Sequence, residues 1–203
     1  MISNNDLVKH LIDTSALRSK EIIEAFKKVD RADFVRDFSS SNIYEDYPLS
    51  IGYGQTISQP TTVAMMMEML SPKKGDKVLD IGSGSGWTTA LLSFIVGDKG
   101  YVTGLERVDE ILDFGINNLK KYRFKNSRII HAKDDLGIVG EEFDRILVSA
   151  AAEEFPIELA RQLKAGGKLV IPVKNSIFEV RKKENGELEA IEHYGFTFVP
   201  LIS

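Results

Sequence analysis

Residues 77–87 read KVLDIGSGSGW, an apolar strand-like run that passes through three glycines into a helix-like run. Gly82, Gly84 and Gly86 lie where the chain must reverse, and residues without a side chain allow a tight turn and close approach of a ligand. The helix that follows offers unpaired backbone N–H groups. This glycine loop, residues 82–86, therefore predicts a nucleotide-type ligand at a strand-to-helix turn.

The spacing of the glycines argues against a nicotinamide or flavin dinucleotide. The dinucleotide fingerprint has its third glycine where this chain has Trp87. Asp80 adds a negative charge beside the loop, which disfavours a pyrophosphate but suits a cation such as the sulfonium portion of S-adenosylmethionine. Glu106, at the end of the next strand, can accept hydrogen bonds from both hydroxyls of a ribose. The alternative, a tight turn that binds nothing, is disfavoured once both carboxylates flank the loop.

A second acidic segment, HAKDDLG at residues 131–137, follows the third predicted strand of the core. In open α/β sheets, ligands lie across the carboxyl ends of the strands. Asp134 or Asp135 could therefore accept a hydrogen bond from the adenine amino group, and we favour Asp134. The competing interpretation is a solvated acidic turn that caps a short helix near Leu136.

The remainder of the chain after residue 76 alternates strands with helices. Helices are predicted at residues 87–96, 108–122, 136–141 and 155–163. A tail with two strands around Asn185-Gly186 predicts a hairpin at the sheet edge. The fold class is therefore α/β, a doubly wound Rossmann-like sheet with helices on both faces and a C-terminal β-hairpin. The buried parallel strands are predicted at five aliphatic runs, KVLDIG, YVTGLE, SRIIHA, FDRILVSA and KLVIPV.

The first 70 residues are interpreted as a helical cap on this core. Apolar residues at helical spacing predict helices near residues 7–12 and 22–29, and residues 36–50 are predicted to be irregular. The methionines of residues 60–70 are expected in the core of a further helix. Without a repeat or a long linker, we expect one domain over residues 1–203, with a cap and substrate-side loop at 1–70 and a cofactor-binding core at 71–203.

Composition narrows the classes of function. The chain has 203 residues, a formal net charge of −4 and no cysteine, so it offers no general attraction for nucleic acid and no thiolate metal site. The basic run at 120–128 is interpreted as a solvated helix end. No apolar run approaches the roughly 20 residues that span a bilayer, and no secretory signal pattern opens the chain. We expect a cytoplasmic monomer without a metal, membrane or nucleic-acid partner.

Several stretches, taken together and in order, resemble the protein-L-isoaspartate O-methyltransferases, which repair isomerised aspartyl and deamidated asparaginyl sites. The resemblance covers most of the sequence. The glycine loop is shared by many methyltransferases, whereas GQTISQP at residues 54–60 is specific to this family. The other matching stretches are YEDYPLSIGYGQTISQP at 44–60, FDRILVSAAAEEFPIELARQLKAGGKLVIPV at 143–173 and FVPL at 198–201.

The resemblance implies an enzyme that transfers a methyl group from S-adenosyl-L-methionine to the free carboxylate of L-isoaspartyl residues, with S-adenosyl-L-homocysteine as product. It implies that Ser58 is the catalytic residue beside the reacting carboxylate, with Gln55 and Thr56 also on the substrate side. Without the resemblance, Ser58 reads as the N-cap of a helix that has Pro60 in its first turn. The implied cofactor-binding residues are Asp80, Gly82, Ser83, Gly84, Glu106 and Asp134.

Two departures from the family pattern concern the range of substrates. Lys133-Asp134-Asp135 replaces the usual Gly-Asp-Gly, and PLSIG replaces the more usual PLPIG. They leave room for methyl transfer to another peptide or small-molecule carboxylate. A non-catalytic cofactor-binding protein is a further alternative, which the retention of Asp80, Glu106 and Ser58 disfavours.

A carboxylate acceptor would explain why the motifs contain no catalytic triad. A carboxylate of pKa about 4 is already ionised near neutral pH, so its esterification needs no strong general base. The main task is then to hold one oxygen in line with the sulfonium methyl group. The three histidines, His10, His131 and His193, lie outside both motifs, and we favour structural or surface roles for them.

Overall fold

The computed structural model describes residues 1–36 and 42–201; residues 37–41, part of the run predicted as irregular, and residues 202–203 lie outside them. The helices are α1 (Asn4–Asp13), α2 (Lys20–Lys28), a 3-10 helix (Arg31–Phe34), α3 (Pro60–Leu70), α4 (Trp87–Val96), α5 (Asp109–Lys120) and α6 (Ile157–Arg161). The strands are β1 (Leu49–Gly52), β2 (Gln55–Ile57), β3 (Lys77–Ile81), β4 (Tyr101–Glu106), β5 (Ser127–His131), β6 (Phe143–Val148), β7 (Leu163–Val173), β8 (Ser176–Lys182) and β9 (Leu188–Tyr194).

Seven of these strands form one sheet in the order β5-β4-β3-β6-β7-β8-β9. The first five strands in this order, β5, β4, β3, β6 and β7, pair in parallel with their neighbours. The pairs β7–β8 and β8–β9 are antiparallel. The chain builds β3, β4 and β5 outward and then places β6 on the other side of β3. This reversal opens a crevice at the carboxyl ends of β3 and β6. The predicted doubly wound α/β fold is confirmed.

Helices cover the two faces of the sheet unequally. Because side chains alternate along a strand, Val78 and Leu79 of β3 point to opposite faces and belong to two different hydrophobic clusters. The cluster around Val78 includes apolar residues of α1 to α5, whereas the cluster around Leu79 receives Leu159 of α6. Within the described ranges, one face thus carries α1 to α5 and the 3-10 helix, and the other carries the short α6 with connecting loops.

The N-terminal helices share their core with the sheet. Leu7 of α1, Phe26 of α2 and Met67 of α3 are at most 1% exposed and belong to the same cluster as Val78. The Phe26 ring packs edge-on against the Trp87 ring, with the centroids 5.5 Å apart. Burial of one such side chain contributes about 1.5–3 kcal/mol. Of the helix's four methionines, predicted to be core, Met66 and Met67 are buried, whereas Met65 and Met69 are partly buried and pack against the cluster.

Two sequence predictions of helices need correction. Residues 136–141 form no helix, because Gly137 and Gly140 have φ values of +84° and +83° and the segment bends instead. Gln162 binds this segment: its Nε2 donates to the Leu136 carbonyl and its Oε1 accepts from the Ile138 N–H, both at 2.8 Å. The helix predicted at 155–163 is shorter, Ile157–Arg161, because Leu163 already begins β7.

Both hairpins lie at the margins of the core. The C-terminal hairpin is confirmed: β8 and β9 pair around the turn at Asn185-Gly186, where Gly186 has a φ of +85°. A second hairpin, in which β1 and β2 pair antiparallel, was not predicted. Its first strand begins inside the run 36–50 that was predicted to be irregular, and its second strand follows that run. This hairpin carries Gln55 and Thr56 directly onto the crevice.

No helix in residues 1–36 and 42–201 has both the length and the apolar character needed to cross a membrane. Within those same ranges, no group of three or more His, Asp and Glu side chains is arranged to hold a metal ion.

Candidate active site

A cleft runs across the carboxyl ends of β3, β4 and β6 and is closed on one side by the β1–β2 hairpin. Its empty space, counted together with the solvent at its open mouth, is about 1050 Å³. Eight of the nine predicted site residues line it: Gln55, Thr56, Ser58, Gly82, Ser83, Gly84, Glu106 and Asp134. The ninth, Asp80, lies beneath the floor.

The glycine loop presents bare backbone to the cleft because its glycines adopt left-handed conformations. Gly82 and Gly84 have φ values of +72° and +53°, which disfavour any other residue. The N–H groups of Gly82 and Ser83 donate to the Leu105 carbonyl at 2.9 and 3.0 Å, so the loop is tied to the end of β4. The Ser83 hydroxyl is buried and has no hydrogen-bond partner among the described residues.

Glu106 reaches from the end of β4 to the glycine loop. Its Oε2 accepts from the Gly84 N–H at 2.9 Å, and its Oε1 accepts from the N–H groups of Arg107 and Val108 at 2.8 and 3.0 Å. The residue is 7% exposed. An ionised carboxylate has about four acceptor positions, so these three bonds leave room for one ribose hydroxyl without displacement of the loop. The prediction that Glu106 binds both hydroxyls would require one backbone bond to be exchanged.

Asp80 is completely buried on the face of β3 that α4 covers. Its Oδ2 accepts from the hydroxyls of Thr88 and Thr89, at 2.8 and 2.6 Å, while Oδ1 has no partner within the described part of the chain. Burial raises the pKa of Asp80 to about 6; the two hydroxyl bonds oppose the shift and the nearby Glu106 carboxylate adds to it. Thr88 lines the cleft, so it separates the Asp80 carboxylate from a ligand there.

The far end of the cleft is formed by residues 132–137. Asp134 is exposed and lines the cleft, as do Lys133 and Asp135. The loop is fixed from behind by the Gln162 side chain through Leu136 and Ile138. Sequence reasoning missed Gln162, because it lies on a different element and its two bonds go to backbone groups.

Ser58 follows β2 directly and also lines the cleft. It does not cap α3: the N-cap residue is Gln59, and the Gln59 side chain makes no capping hydrogen bond. Asp46 occupies the helix start instead, where its Oδ1 accepts from the Thr61 N–H at 2.8 Å and its Oδ2 from the Thr61 hydroxyl at 2.7 Å. The capping interpretation is therefore wrong, and the Ser58 hydroxyl has no hydrogen bond to any described residue.

Arg31 lies behind Ser58 and is 0% exposed. Its Nη1 donates to the carbonyls of Ile43 and Glu45, at 2.5 and 3.1 Å. Its Nη2 donates to the carbonyls of Tyr47 and Ser58, at 2.9 and 3.3 Å. Burial lowers the pKa of Arg31 to about 10, and the nearby Asp46 and Tyr47 oppose that shift. The group is therefore a buried cation at neutral pH whose charge is directed at backbone carbonyls.

The residues present fit S-adenosylmethionine. Bare backbone at Gly82 and Gly84 allows close approach, and the buried hydroxyl of Ser83, which lines the cleft, has no partner in the described ranges. Such orphaned groups cost free energy unless a ligand or water satisfies them. Net negative charge beneath the loop suits a sulfonium cation rather than a phosphate.

Comparison with known families agrees with this geometry. Residues 2–203 match the family model described as Protein-L-isoaspartate(D-aspartate) O-methyltransferase (PCMT). A protein-L-isoaspartate O-methyltransferase of Methanopyrus kandleri is 42% identical over 202 residues, which cover 97% of this chain and 89% of the relative. One of Pyrococcus abyssi is 42% identical over 192 residues, covering 92% of this chain and 88% of that protein.

Solved structures give the same result. A Plasmodium falciparum protein assigned as a PCMT, in complex with S-adenosyl-L-homocysteine, superposes with a TM-score of 0.88 at 27% identity and covers 98% of both chains. A second structure, described as a protein-L-isoaspartate O-methyltransferase, has a TM-score of 0.88 at 26% identity and covers 98% of this chain and 66% of its own. The family model, the relatives and these two solved structures thus indicate one family.

Proposed function

This chain belongs to the protein-L-isoaspartate(D-aspartate) O-methyltransferase family, and from that premise we propose that it transfers a methyl group from S-adenosyl-L-methionine to the free carboxylate of L-isoaspartyl residues in damaged proteins or peptides. The observation that carries the proposal is that Ser58, whose hydroxyl has no hydrogen-bond partner in residues 1–36 and 42–201, lines the same cleft as the glycine loop and Glu106. One wall is thus available to the substrate and the opposite wall to the cofactor.

Catalysis in this arrangement depends on position. When bound, the cofactor supplies an electrophilic methyl group on a sulfonium. The substrate carboxylate is ionised at neutral pH and accepts a hydrogen bond from Ser58, which holds one of its oxygens toward the methyl group. Gln55 and Thr56 form the rest of the substrate side. Transfer of the methyl group to that oxygen would break its bond to sulfur and leave a neutral ester and a neutral thioether, so the residues of the cleft would not need to move a proton.

Each of the cofactor-side residues is assigned to one portion of the cofactor. We assign the methionine portion to the backbone of Gly82, Ser83 and Gly84, and the ribose to Glu106. Asp134, exposed at the far end of the cleft, is assigned to the adenine amino group. Asp80 acts from beneath the floor as a counter-charge to the sulfonium, through Thr88.

The test is methyl transfer to matched peptides. Purified protein is incubated with radiolabelled S-adenosylmethionine and two peptides that differ only in an L-isoaspartyl or L-aspartyl linkage. We expect base-labile methyl ester on the isoaspartyl peptide alone. Transfer to neither peptide, with cofactor binding intact, would contradict the proposal and favour a non-catalytic cofactor-binding protein. Equal transfer to both would favour an enzyme for other carboxylates, to which the exposed Lys133 and Asp135 would then be relevant.

We further infer that the chain works as one unit in the cytoplasm, as a monomer and without nucleic acid. Residues 1–70 then supply the substrate side and residues 71–203 the cofactor side. The net charge of −4 supports the exclusion of nucleic acid. Size-exclusion chromatography with light scattering tests the oligomeric state directly.

Asp80 makes a prediction about charge selectivity. We expect Asp80→Asn to weaken binding of S-adenosylmethionine roughly 10-fold and that of S-adenosylhomocysteine less than about 3-fold, because only the first carries a sulfonium. In the wild type, protonation of Asp80 removes the counter-charge, so affinity for S-adenosylmethionine should fall as the pH drops through about 6. Calorimetric titration of both ligands between pH 5 and pH 8 measures this. An equal loss for both ligands would show that Asp80 shapes the loop and exerts no charge effect.

A further inference from the structure

The backbone that follows Ser58 is held by two charged side chains, the buried Arg31 and the partly buried Asp46. Three of the four carbonyls bound by Arg31 belong to residues 43–47, and the fourth is that of Ser58. The same segment carries Asp46, which binds the first turn of α3 through Thr61. Two fixed points therefore follow the Ser58 Cα, its own carbonyl and the helix start three residues later, and strand β2 ends directly before it. Little rotation of its backbone is allowed.

A fixed backbone matters here because the Ser58 hydroxyl has no hydrogen bond of its own to any described residue. Its oxygen can occupy only the staggered positions around the Cα–Cβ bond, and the backbone sets where that bond points. Loss of alignment by about 1 Å can cost on the order of 100-fold in rate when catalysis rests on positioning. The group that fixes the backbone is thus in a position to control the reaction.

We propose that Arg31 is a positioning residue for methyl transfer: its guanidinium holds the Ser58 segment so that the hydroxyl faces the cleft. This inference rests on the proposed function. Arg31 itself does not line the cleft. It acts through Ser58 and needs no contact with either substrate.

Arginine has the geometry that this task requires. A guanidinium presents five N–H donors in a planar fork, whereas a lysine ammonium presents three donors around one atom. Four carbonyls from two separate segments surround Arg31. Lysine would keep the charge but leave part of this set unpaired. Because Nη2 bridges Tyr47 and Ser58, we expect lysine to release the Ser58 carbonyl in particular.

Trp87 provides a spectroscopic measure of cofactor binding. It is the one tryptophan of the sequence, and it lines the cleft. The Arg31 guanidinium lies 5.7 Å from its ring centroid. Binding of S-adenosylhomocysteine can therefore be followed from the emission of Trp87, independently of turnover.

The experiment compares Arg31→Lys with Arg145→Lys. Arg145 is also buried, at 7% exposure, and it binds the carbonyls of Ser71 and Asp144 away from the cleft. For Arg31→Lys we expect kcat on the isoaspartyl peptide to fall roughly 10-fold or more, with the Kd of S-adenosylhomocysteine within about 3-fold of wild type. For Arg145→Lys we expect lower thermal stability with kcat within about 2-fold.

Each other outcome has a defined meaning. If the wild type is active and Arg31→Lys keeps kcat within about 2-fold of it, the proposed function stands and the positioning role is overturned. A parallel loss of kcat and S-adenosylhomocysteine affinity, or failure of Arg31→Lys and Arg31→Gln to fold while Arg145→Lys folds, also overturns it, since Arg31 would then serve the fold. If wild-type protein transfers no methyl to the isoaspartyl peptide, the proposed function falls and this role with it.

Discussion

Ser58→Ala should lower kcat on an isoaspartyl peptide by roughly 10- to 100-fold while the affinity for S-adenosylhomocysteine stays unchanged. A hydrogen bond to a charged group contributes about 1.5–3 kcal/mol, and each 1.36 kcal/mol of barrier is about tenfold in rate. The hydroxyl has no partner among the described residues, so its removal leaves no internal group unpaired. Steady-state kinetics with the peptide, combined with a Trp87 titration for S-adenosylhomocysteine, separates the two effects.

A matched control is available one strand away. Ser50 of β1 is exposed, lies opposite Thr56 of β2 and is not among the cleft-lining residues. Ser50→Ala should therefore leave kcat within about 2-fold. If Ser58→Ala weakened S-adenosylhomocysteine binding as much as it slowed turnover, Ser58 would belong to the cofactor side and its assignment here would be wrong.

Glu106→Gln should raise the Kd of S-adenosylhomocysteine by roughly 30-fold or more, with kcat at saturating cofactor much less affected. The glutamine amide keeps one acceptor oxygen, which can serve Arg107 and Val108, but its NH₂ group then faces the Gly84 N–H. Two opposed donors destabilise the bound conformation of the glycine loop, and a ribose acceptor is lost at the same time. Such charge-assisted bonds are worth about 1.5–3 kcal/mol each.

The control for this prediction is Glu110→Gln, which removes the same charge from an exposed position in the first turn of α5. We expect the Kd of this variant to stay within about 2-fold of wild type. Similar Kd values for Glu106→Gln and the wild type would mean that the ribose is bound elsewhere, and Glu106 would remain as a support of the loop.

The core of the fold could be predicted because its signals are local. Aliphatic runs gave β3 to β7, and residues 87–96 were predicted as the helix that the structure places at Trp87–Val96. The helix predicted at 136–141 is wrong because the apolar pattern of this segment is interrupted by Gly137 and Gly140, which adopt positive φ values. The β1–β2 hairpin was missed because its strands are only four and three residues long, too short for a periodic pattern.

In the candidate site, too, the residues marked by a local sequence pattern could be predicted and the others could not. The glycine loop and the two carboxylates that flank it follow from residue type and spacing within one βαβ unit. Arg31 and Gln162 were missed because they act on backbone carbonyls and N–H groups, which every residue possesses and no sequence pattern marks. The true cap of α3, Asp46, is separated from Thr61 by a hairpin, so the local capping rule pointed to Ser58 instead. Thr88 and Thr89 lie just beyond the glycine loop, after Trp87, and could have been found.

The common hydrophobic cluster of the N-terminal helices and the sheet has a thermodynamic consequence. Leu7, Phe26, Trp87 and Val170 belong to one connected core, so the N-terminal helices and the cofactor-binding strands should lose their structure in a single cooperative transition. A ligand that binds only the folded cleft stabilises everything coupled to it, by RT ln(1 + [L]/Kd). Occupancy of the cleft should therefore protect α1 and α2 from proteolysis, although neither helix contributes a residue to its lining.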